Sequence, residues 1–259
     1  MSTIIYPSPI FGPVMSRRLG VSLGVNLMPG DGKVCTFDCL YCECGFNKEH
    51  LPHGKRPTKE QVAEALETVL RQRQQNGEPL DDIAFAGNGE PTAHPDFGAV
   101  IADTVRLRDK YFPKATVSVL SNATFVGKES VREALAMVDN NVQKLDTVSP
   151  EYIKLVDRPQ QTTYDVRKVI DNLKLFRGKV MLQTMFMKGT VNGKDVDNTG
   201  EEYVKPWLEA VKEIAPQKVM IYTIDRETPV QGLRKAEPQV LDAIKERVEK
   251  AGYECTASY

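Results

Sequence analysis

The chain has 259 residues, 41% of them hydrophobic and 27% charged, with a formal net charge of −1 at pH 7. This composition suits a globular protein with a sizeable core, and it excludes a global basic field that would draw the chain onto nucleic acid or an anionic membrane. No apolar run approaches the roughly 18–20 residues needed to cross a bilayer, and MSTIIYPSPIFGP at the amino terminus lacks a basic segment followed by a long apolar one, so a cytoplasmic protein is expected.

Residues 21–28 (VSLGVNLM) read as a strand, and a long cysteine-bearing loop follows. Thr58 opens a helix as its N-cap, with Gln61 at the capping-box position and Gly77 at the end. DDIAFAG (81–87) is a short apolar run closed by glycine, the pattern of a buried strand. A helix near 95–111, a strand over 115–122, a helix over 128–138 and a strand over 141–149 come next. A helix near 161–176, a strand over 179–189, a helix over 199–214, a strand over 217–225 and a last helix near 238–250 complete about six strand–helix units.

Strands interleaved with helices favour a parallel sheet under helical cover. Six units are too few for a closed eight-fold barrel. The expectation is an α/β fold, an open partial (β/α)6 TIM-like barrel with parallel strands and the cysteine loop after the first strand. In such a fold the chemistry sits at the carboxyl ends of the strands. Residues 1–259 are read as one domain, with an amino-terminal lead-in over 1–20 and a short carboxyl-terminal extension over 231–259.

CTFDCLYCECG places four of the five cysteines, Cys35, Cys39, Cys42 and Cys44, within one loop. An odd total in a reducing compartment argues against a disulfide framework and for a metal or redox role. Structural zinc wants two separated C-x2-C pairs or a histidine knuckle, and neither is present. A thioredoxin-type pair would leave Cys35 without a role. The C-x3-C-x2-C of Cys35, Cys39 and Cys42 supplies three thiolates, enough for three corners of a 4Fe–4S cluster, with one iron left as a binding position. Cys44 is an alternative fourth ligand, and Cys255 reads as a lone buried thiol.

CTFDCLYC, with Tyr41 before its last cysteine, resembles the signature of the radical S-adenosylmethionine (SAM) superfamily. The resemblance implies a 4Fe–4S cluster on Cys35, Cys39 and Cys42 and SAM on the vacant iron. It further implies a reductively formed 5′-deoxyadenosyl radical and an external electron donor such as flavodoxin or ferredoxin. AFAGNGEPTAHPDF resembles the superfamily's glycine–glutamate element, at Gly87, Asn88, Gly89 and Glu90. Glycines let backbone approach a ligand, and the Glu90 carboxylate suits the ammonium of SAM; a glycine turn with a solvated glutamate is the plainer reading. Ser121 and Asn122 end the next strand, as SAM contacts or as a helix cap.

Lys144 and Asp146 alternate on a strand and so share one face. Asp146 is a candidate substrate-binding residue or proton acceptor. Lys144 is a candidate amine nucleophile or the salt partner of Asp146. Gln183, polar within an apolar strand, and Tyr222 are further cofactor candidates. Arg226 suits a substrate carboxylate or phosphate, or else a surface ion pair with Glu227 or Asp225.

GPVMSRRLG, KLD, RP and YTIDR together are similar to a subgroup of short iron–sulfur oxidoreductases related to the wyosine-forming tRNA-modifying enzymes. The resemblance runs from about residue 11 to 230. No cysteine precedes Cys35, so the second cluster of those enzymes finds no ligands here. Arg17-Arg18, Lys55-Arg56 and Arg71/Arg73 are small patches, read as solvated faces, with bracing of the cluster loop or contact with SAM as the alternative for Arg17-Arg18. A peptide or protein, or a small molecule, is therefore favoured as substrate, with nucleic acid behind, no membrane partner, and a non-catalytic electron carrier as the alternative to an enzyme.

Overall fold

The computed structural model describes residues 3–16 and 18–259. The chain opens with an antiparallel hairpin, β1 (Ile10–Ser16) against β2 (Gly20–Val25). After the cysteine loop come α1 (Lys59–Asn76), β3 (Asp82–Phe85), α2 (Phe97–Tyr111), β4 (Thr116–Ser121), α3 (Glu129–Leu135) and β5 (Asn140–Lys144). A short α4 (Pro150–Tyr152) runs into a π-helical turn at Ile153–Asp157. Then follow α5 (Val166–Lys174), β6 (Met181–Met185), β7 (Met187–Val191), β8 (Lys194–Asp195) and α6 (Glu201–Ile214). β9 (Lys218–Tyr222), β10 (Leu233–Lys235), α7 (Pro238–Lys250) and β11 (Cys255–Ser258) end the order.

One sheet runs β1-β2-β3-β4-β5-β6-β9-β11, and every neighbouring pair from β2 onward is parallel. It curls into a half-barrel, the open barrel expected. Three strands differ from expectation. β1 contains Gly12 and Pro13, both strand-breakers. It forms because it is an edge strand, and its register shifts between Phe11 and Val14, where they stand. β11 is short and partly polar, and it becomes a strand by lying parallel on β9. The strand expected over 179–189 breaks at Phe186, whose N–H donates to Tyr222 O at 2.8 Å. β7 turns away there to join β8 and β10 in a small antiparallel sheet.

Local signals explain the helices. Thr58 Oγ1 accepts from Gln61 N at 3.3 Å, while Thr58 N donates to Gln61 Oε1 at 2.9 Å. Gly77 closes α1 in the left-handed region. Val62, Leu66 and Leu70 then line the buried face at helical spacing. On α6, Trp207 is fully buried edge-on against Phe186. Its Nε1–H donates to Leu145 O at 3.0 Å and to Thr184 Oγ1 at 3.1 Å, which fixes the chain just beyond β5 beside Asp146. Among the described residues no helix is long and apolar enough to cross a membrane.

The inner face of the sheet carries small side chains: Ser22, Gly24, Ala84 and Ala86 line a chamber of about 420 Å³. The ring of Phe11 crosses from β1 onto Gly24, where a Cβ would meet it at 2.2 Å. Any larger residue at 24 would push this ring off the wall.

Candidate metal centre and adjoining chamber

The cysteine loop leaves the carboxyl end of β2 and is clamped on both flanks. Leu40 N donates to Val156 O (2.9 Å), Asp38 N to Asp157 O (3.1 Å) and Gln160 N to Thr36 O (2.8 Å). On the other side Val34 N donates to Asn88 O (2.9 Å) and Lys33 N to His50 O (2.7 Å). Asn47 closes the loop on itself, its Oδ1 accepting from Cys35 N at 2.9 Å and its Nδ2 donating to Cys35 O and Phe37 O at 3.2 Å each.

Cys39 and Cys44 are buried, Cys35 and Cys42 half-buried. Burial pushes the Cys35 thiol up to about 12, with Lys33 opposing, and raises Cys39 well above the ordinary thiol range, with Lys144 opposing. The Cys44 thiol bonds to Cys42 and, with Lys33, holds Cys42 down to about 6 against its burial. Cys44 is correspondingly pushed up, first by that bond, and its Sγ lies 3.4 Å from Gly87 O. Two N–H groups reach Cys35 Sγ: Phe37 N at 3.5 Å and Asn122 Nδ2 at 3.7 Å.

Among the described residues no three His, Cys, Asp or Glu side chains converge on a single-ion position. Cys35, Cys39 and Cys42 are nonetheless charge neighbours of one another. Three neighbouring soft donors, with N–H groups aimed at sulfur, fit a polynuclear iron–sulfur cluster. Beneath them lies Lys33, 2% exposed, whose Nζ donates to Gly45 O at 2.5 Å and stands 3.4 Å from Asp38 Oδ1. Cys42, Cys35 and Cys39, in that order, raise its pKa against the lowering effect of burial.

Gly87, Tyr41, Cys42, Gln183 and Tyr222 line the chamber. Gly89 and Glu90 are tied into its supporting structure. Gly89, at φ +154, pairs with Val34, and a Cβ there would stand 1.8 Å from Val34 O. Glu90 is buried, which raises its pKa; its Oε2 accepts from Asn122 N at 2.7 Å and its Oε1 from Thr92 N at 3.0 Å. Ser121 joins the same group, and Asn122 reaches Thr36 Oγ1 at 2.8 Å. The solvated-glutamate reading is thereby corrected.

Two further expectations change. Asn88 was expected to face a cofactor, but its side chain is spent on the backbone of the amino-terminal segment. Oδ1 accepts from Tyr6 N, and Nδ2 donates to Tyr6 O, both at 2.8 Å, and to Pro29 O at 2.9 Å. Arg226 was expected to meet a substrate anion or to pair with Glu227 or Asp225. Its guanidinium instead binds Glu43 Oε2 and the Tyr6 hydroxyl, the latter at 2.8 Å. Glu43 stands between two cysteines and also accepts from Tyr6 Oη at 2.9 Å, so the three close a clasp at the chamber mouth.

Lys144 and Asp146 share one face as expected and are bonded to each other. Tyr41 Oη joins both, and Asp146 Oδ1 accepts from Met185 N at 3.0 Å. Asp157, delivered by the π turn, adds a second carboxylate 2.8 Å from Lys144 Nζ. Its Oδ1 lacks aligned hydrogen-bond geometry, so that contact is a charge pairing. Burial first, then Asp146, raises Asp157 to about 7 while Lys144 opposes; the two carboxylates hold Lys144 well above the ordinary lysine range against its own burial.

Sequence reasoning passed over Lys33, Glu43 and Asp157, assigned Arg73 to a solvated patch, and read Arg18 as either a solvated patch or a residue of the cluster loop and SAM site. Arg17 lies outside the described residues. Arg18 lines the chamber, and Arg73 is buried, with Nη2 donating to Pro79 O at 2.6 Å. A lysine two residues before the cysteine motif and an aspartate in the VDRP element were the available signals.

The family model described as the radical SAM superfamily matches residues 31–203. The UPF0026 protein slr1464 of Synechocystis is 30% identical over 227 residues, 86% of this chain and 77% of that protein. A Brachyspira hyodysenteriae protein named GTPase Obg is 27% identical over 246 residues, 93% of this chain but only 33% of its own length. Among solved structures, Streptococcus suis SuiB bound to S-adenosylmethionine superposes with a TM-score of 0.63 at 15% identity, over 91% of this chain and 50% of SuiB. TYW1 with a lysine–pyruvate adduct bound gives 0.61 at 11% identity, over 88% of this chain and 73% of TYW1. Likeness at these identities is likeness of fold.

Proposed function

The chain belongs to the radical SAM superfamily, and on that premise we propose that it is a radical SAM enzyme acting on a small molecule or peptide admitted to the half-barrel chamber. Cys35, Cys39 and Cys42 are the residues that would hold a 4Fe–4S cluster, beside the SAM site. When bound, cluster and SAM together supply a 5′-deoxyadenosyl radical by one-electron reductive cleavage, the electron coming from an external donor such as flavodoxin or ferredoxin.

The protein's own residues orient and enclose. Lys33 sets a fixed positive charge beneath the thiols. Gly87 and Tyr41 form the wall against which SAM would lie. Glu90 acts from behind that wall by fixing the Asn122 backbone. Asp146 and Lys144 hold the Tyr41 hydroxyl. Because two carboxylates keep Lys144 as an ammonium, a charge role suits it better than that of an amine nucleophile. The Arg226–Glu43–Tyr6 clasp limits water entry at the mouth and favours a small substrate over a folded partner.

The observation that carries this reading is the set of three neighbouring thiols in the loop after β2, with Cys42 on the chamber wall. The test is anaerobic reconstitution followed by dithionite and SAM. The expected product is 5′-deoxyadenosine. A cluster whose EPR signal ignores SAM, with no product, would instead mark an electron carrier.

A further inference from the structure

Arg18 occupies an unusual place. It sits in the turn between β1 and β2, at the amino end of β2, whereas the cysteine loop leaves from the carboxyl end of the same strand. The turn is fixed by Ser16 Oγ, which accepts from Arg18 N at 3.3 Å and Leu19 N at 3.1 Å. From there the side chain crosses the open barrel. Its Nη1 donates to Gln183 Oε1 at 3.3 Å, and its guanidinium carbon lies 4.9 Å from the centre of the Tyr222 ring.

Among the described residues no carboxylate pairs with Arg18. Two acidic side chains of the chamber are engaged elsewhere: Glu43 binds Arg226, and Asp225 lies 3.6 Å from Lys235. A guanidinium carries five N–H donors, and one is used here. Stacking on Tyr222 holds the fork in place, so little entropy remains to be lost on binding. Gln183 turns its Oε1 to Arg18 and keeps its amide N–H groups to offer. Burial and Asp146 keep the Tyr222 hydroxyl protonated. The charge and donors around Arg18 therefore suit an acceptor, and the small residues Gly24, Ala84 and Ala86 leave it room.

We propose that Arg18, with Gln183 and Tyr222, binds an oxyanion of the substrate, a carboxylate or a phosphate, inside the chamber. The proposal deepens the radical SAM reading and rests on it. An anion fixed there holds the rest of the substrate between Arg18 and the thiols, where hydrogen abstraction would occur. It assigns the substrate to the class of anionic small molecules or peptides presenting a carboxylate.

The test uses SAM-loaded holoenzyme labelled with phenylglyoxal, which modifies accessible guanidinium groups, with Arg18 followed by peptide mass spectrometry. Inorganic phosphate and acetate serve as probes, against chloride at equal ionic strength. Labelling of Arg18 should slow several-fold with phosphate, with acetate or with both, and the more protective anion identifies the source. Arg18→Gln holoenzyme should retain wild-type affinity for SAM. Three results overturn the proposal: equal labelling in all three salts, an Arg18 inert throughout, or protection of Arg18 by SAM alone together with weakened SAM binding in Arg18→Gln. Each leaves the radical reading standing if 5′-deoxyadenosine still forms. Anion protection without that product would sink the radical reading instead.

Discussion

The Lys33 ammonium donates to the Gly45 carbonyl oxygen at 2.5 Å, bridging the two ends of the cysteine loop from below. A buried charge is costly unless compensated, and its one carboxylate neighbour, Asp38, lies as far off as 3.4 Å. The three thiols are the remaining compensation. Lys33→Met should lose most of its iron and acid-labile sulfide relative to wild type, while Lys33→Arg, which keeps the charge, should retain more. In any Lys33→Met protein that keeps a cluster, the reduced fraction at a fixed potential should fall about tenfold, a shift of about 59 mV for one electron. EPR-monitored potentiometry measures it, and an unchanged midpoint would show that Lys33 only shapes the loop.

Cys39 and Cys44 should behave differently although both are buried. Cys39→Ala should abolish cluster retention and 5′-deoxyadenosine formation together. Cys44→Ala should keep its iron, because the Cys44 Sγ is turned to the Gly87 carbonyl oxygen, 3.4 Å away. Iron content and the EPR spectrum after reconstitution decide this, and loss of the cluster in Cys44→Ala would make Cys44 a fourth ligand.

Removing the cation between Asp146 and Asp157 leaves two buried carboxylates facing each other. Lys144→Met should cost about 3–5 kcal/mol of stability. Adding Asp157→Asn should recover part of that loss, since Asp146 keeps the Met185 N–H and the Tyr41 hydroxyl. Urea unfolding of the single and double variants measures the coupling. Additive losses would mean that the two sites do not interact.

Asp157 also predicts a pH dependence. Its carboxyl is raised to about 7 in the folded chain, against roughly 3.9 unfolded. Between those values the unfolded chain gives up the proton and the folded chain keeps it. The associated stability is full below about pH 4 and lost as pH rises through about 7. The stability of metal-free wild type, measured relative to Asp157→Asn, should therefore fall across that window. Parallel curves for the two proteins would contradict the assignment.

Much of this arrangement could be read from local signals. The capping box at Thr58 and Gln61, the glycine stop at Gly77 and the two-residue alternation of Lys144 and Asp146 depend on near neighbours in the chain. What escaped reading depends on distant partners. β1 exists despite Gly12 and Pro13 because an edge strand tolerates them. The engagement of Asn88 needed Tyr6, the pairing of Arg226 needed Glu43, and the place of Arg18 needed the barrel to stay open. Lys33 and Asp157 look like ordinary surface charges until folding buries them against the cysteine loop.

The Arg226–Glu43–Tyr6 clasp ties the first residues of the chain and the segment after β9 to one glutamate inside the cysteine loop. Oxidative loss of order in that loop would thus remove one tie on each of two remote segments at once, although Asn26 and Asn88 still hold the amino-terminal one. Clipping by a protease around residues 3–9 becomes a gauge of cofactor integrity, and an intact amino-terminal peptide in limited proteolysis would certify anaerobically prepared protein before any assay is run.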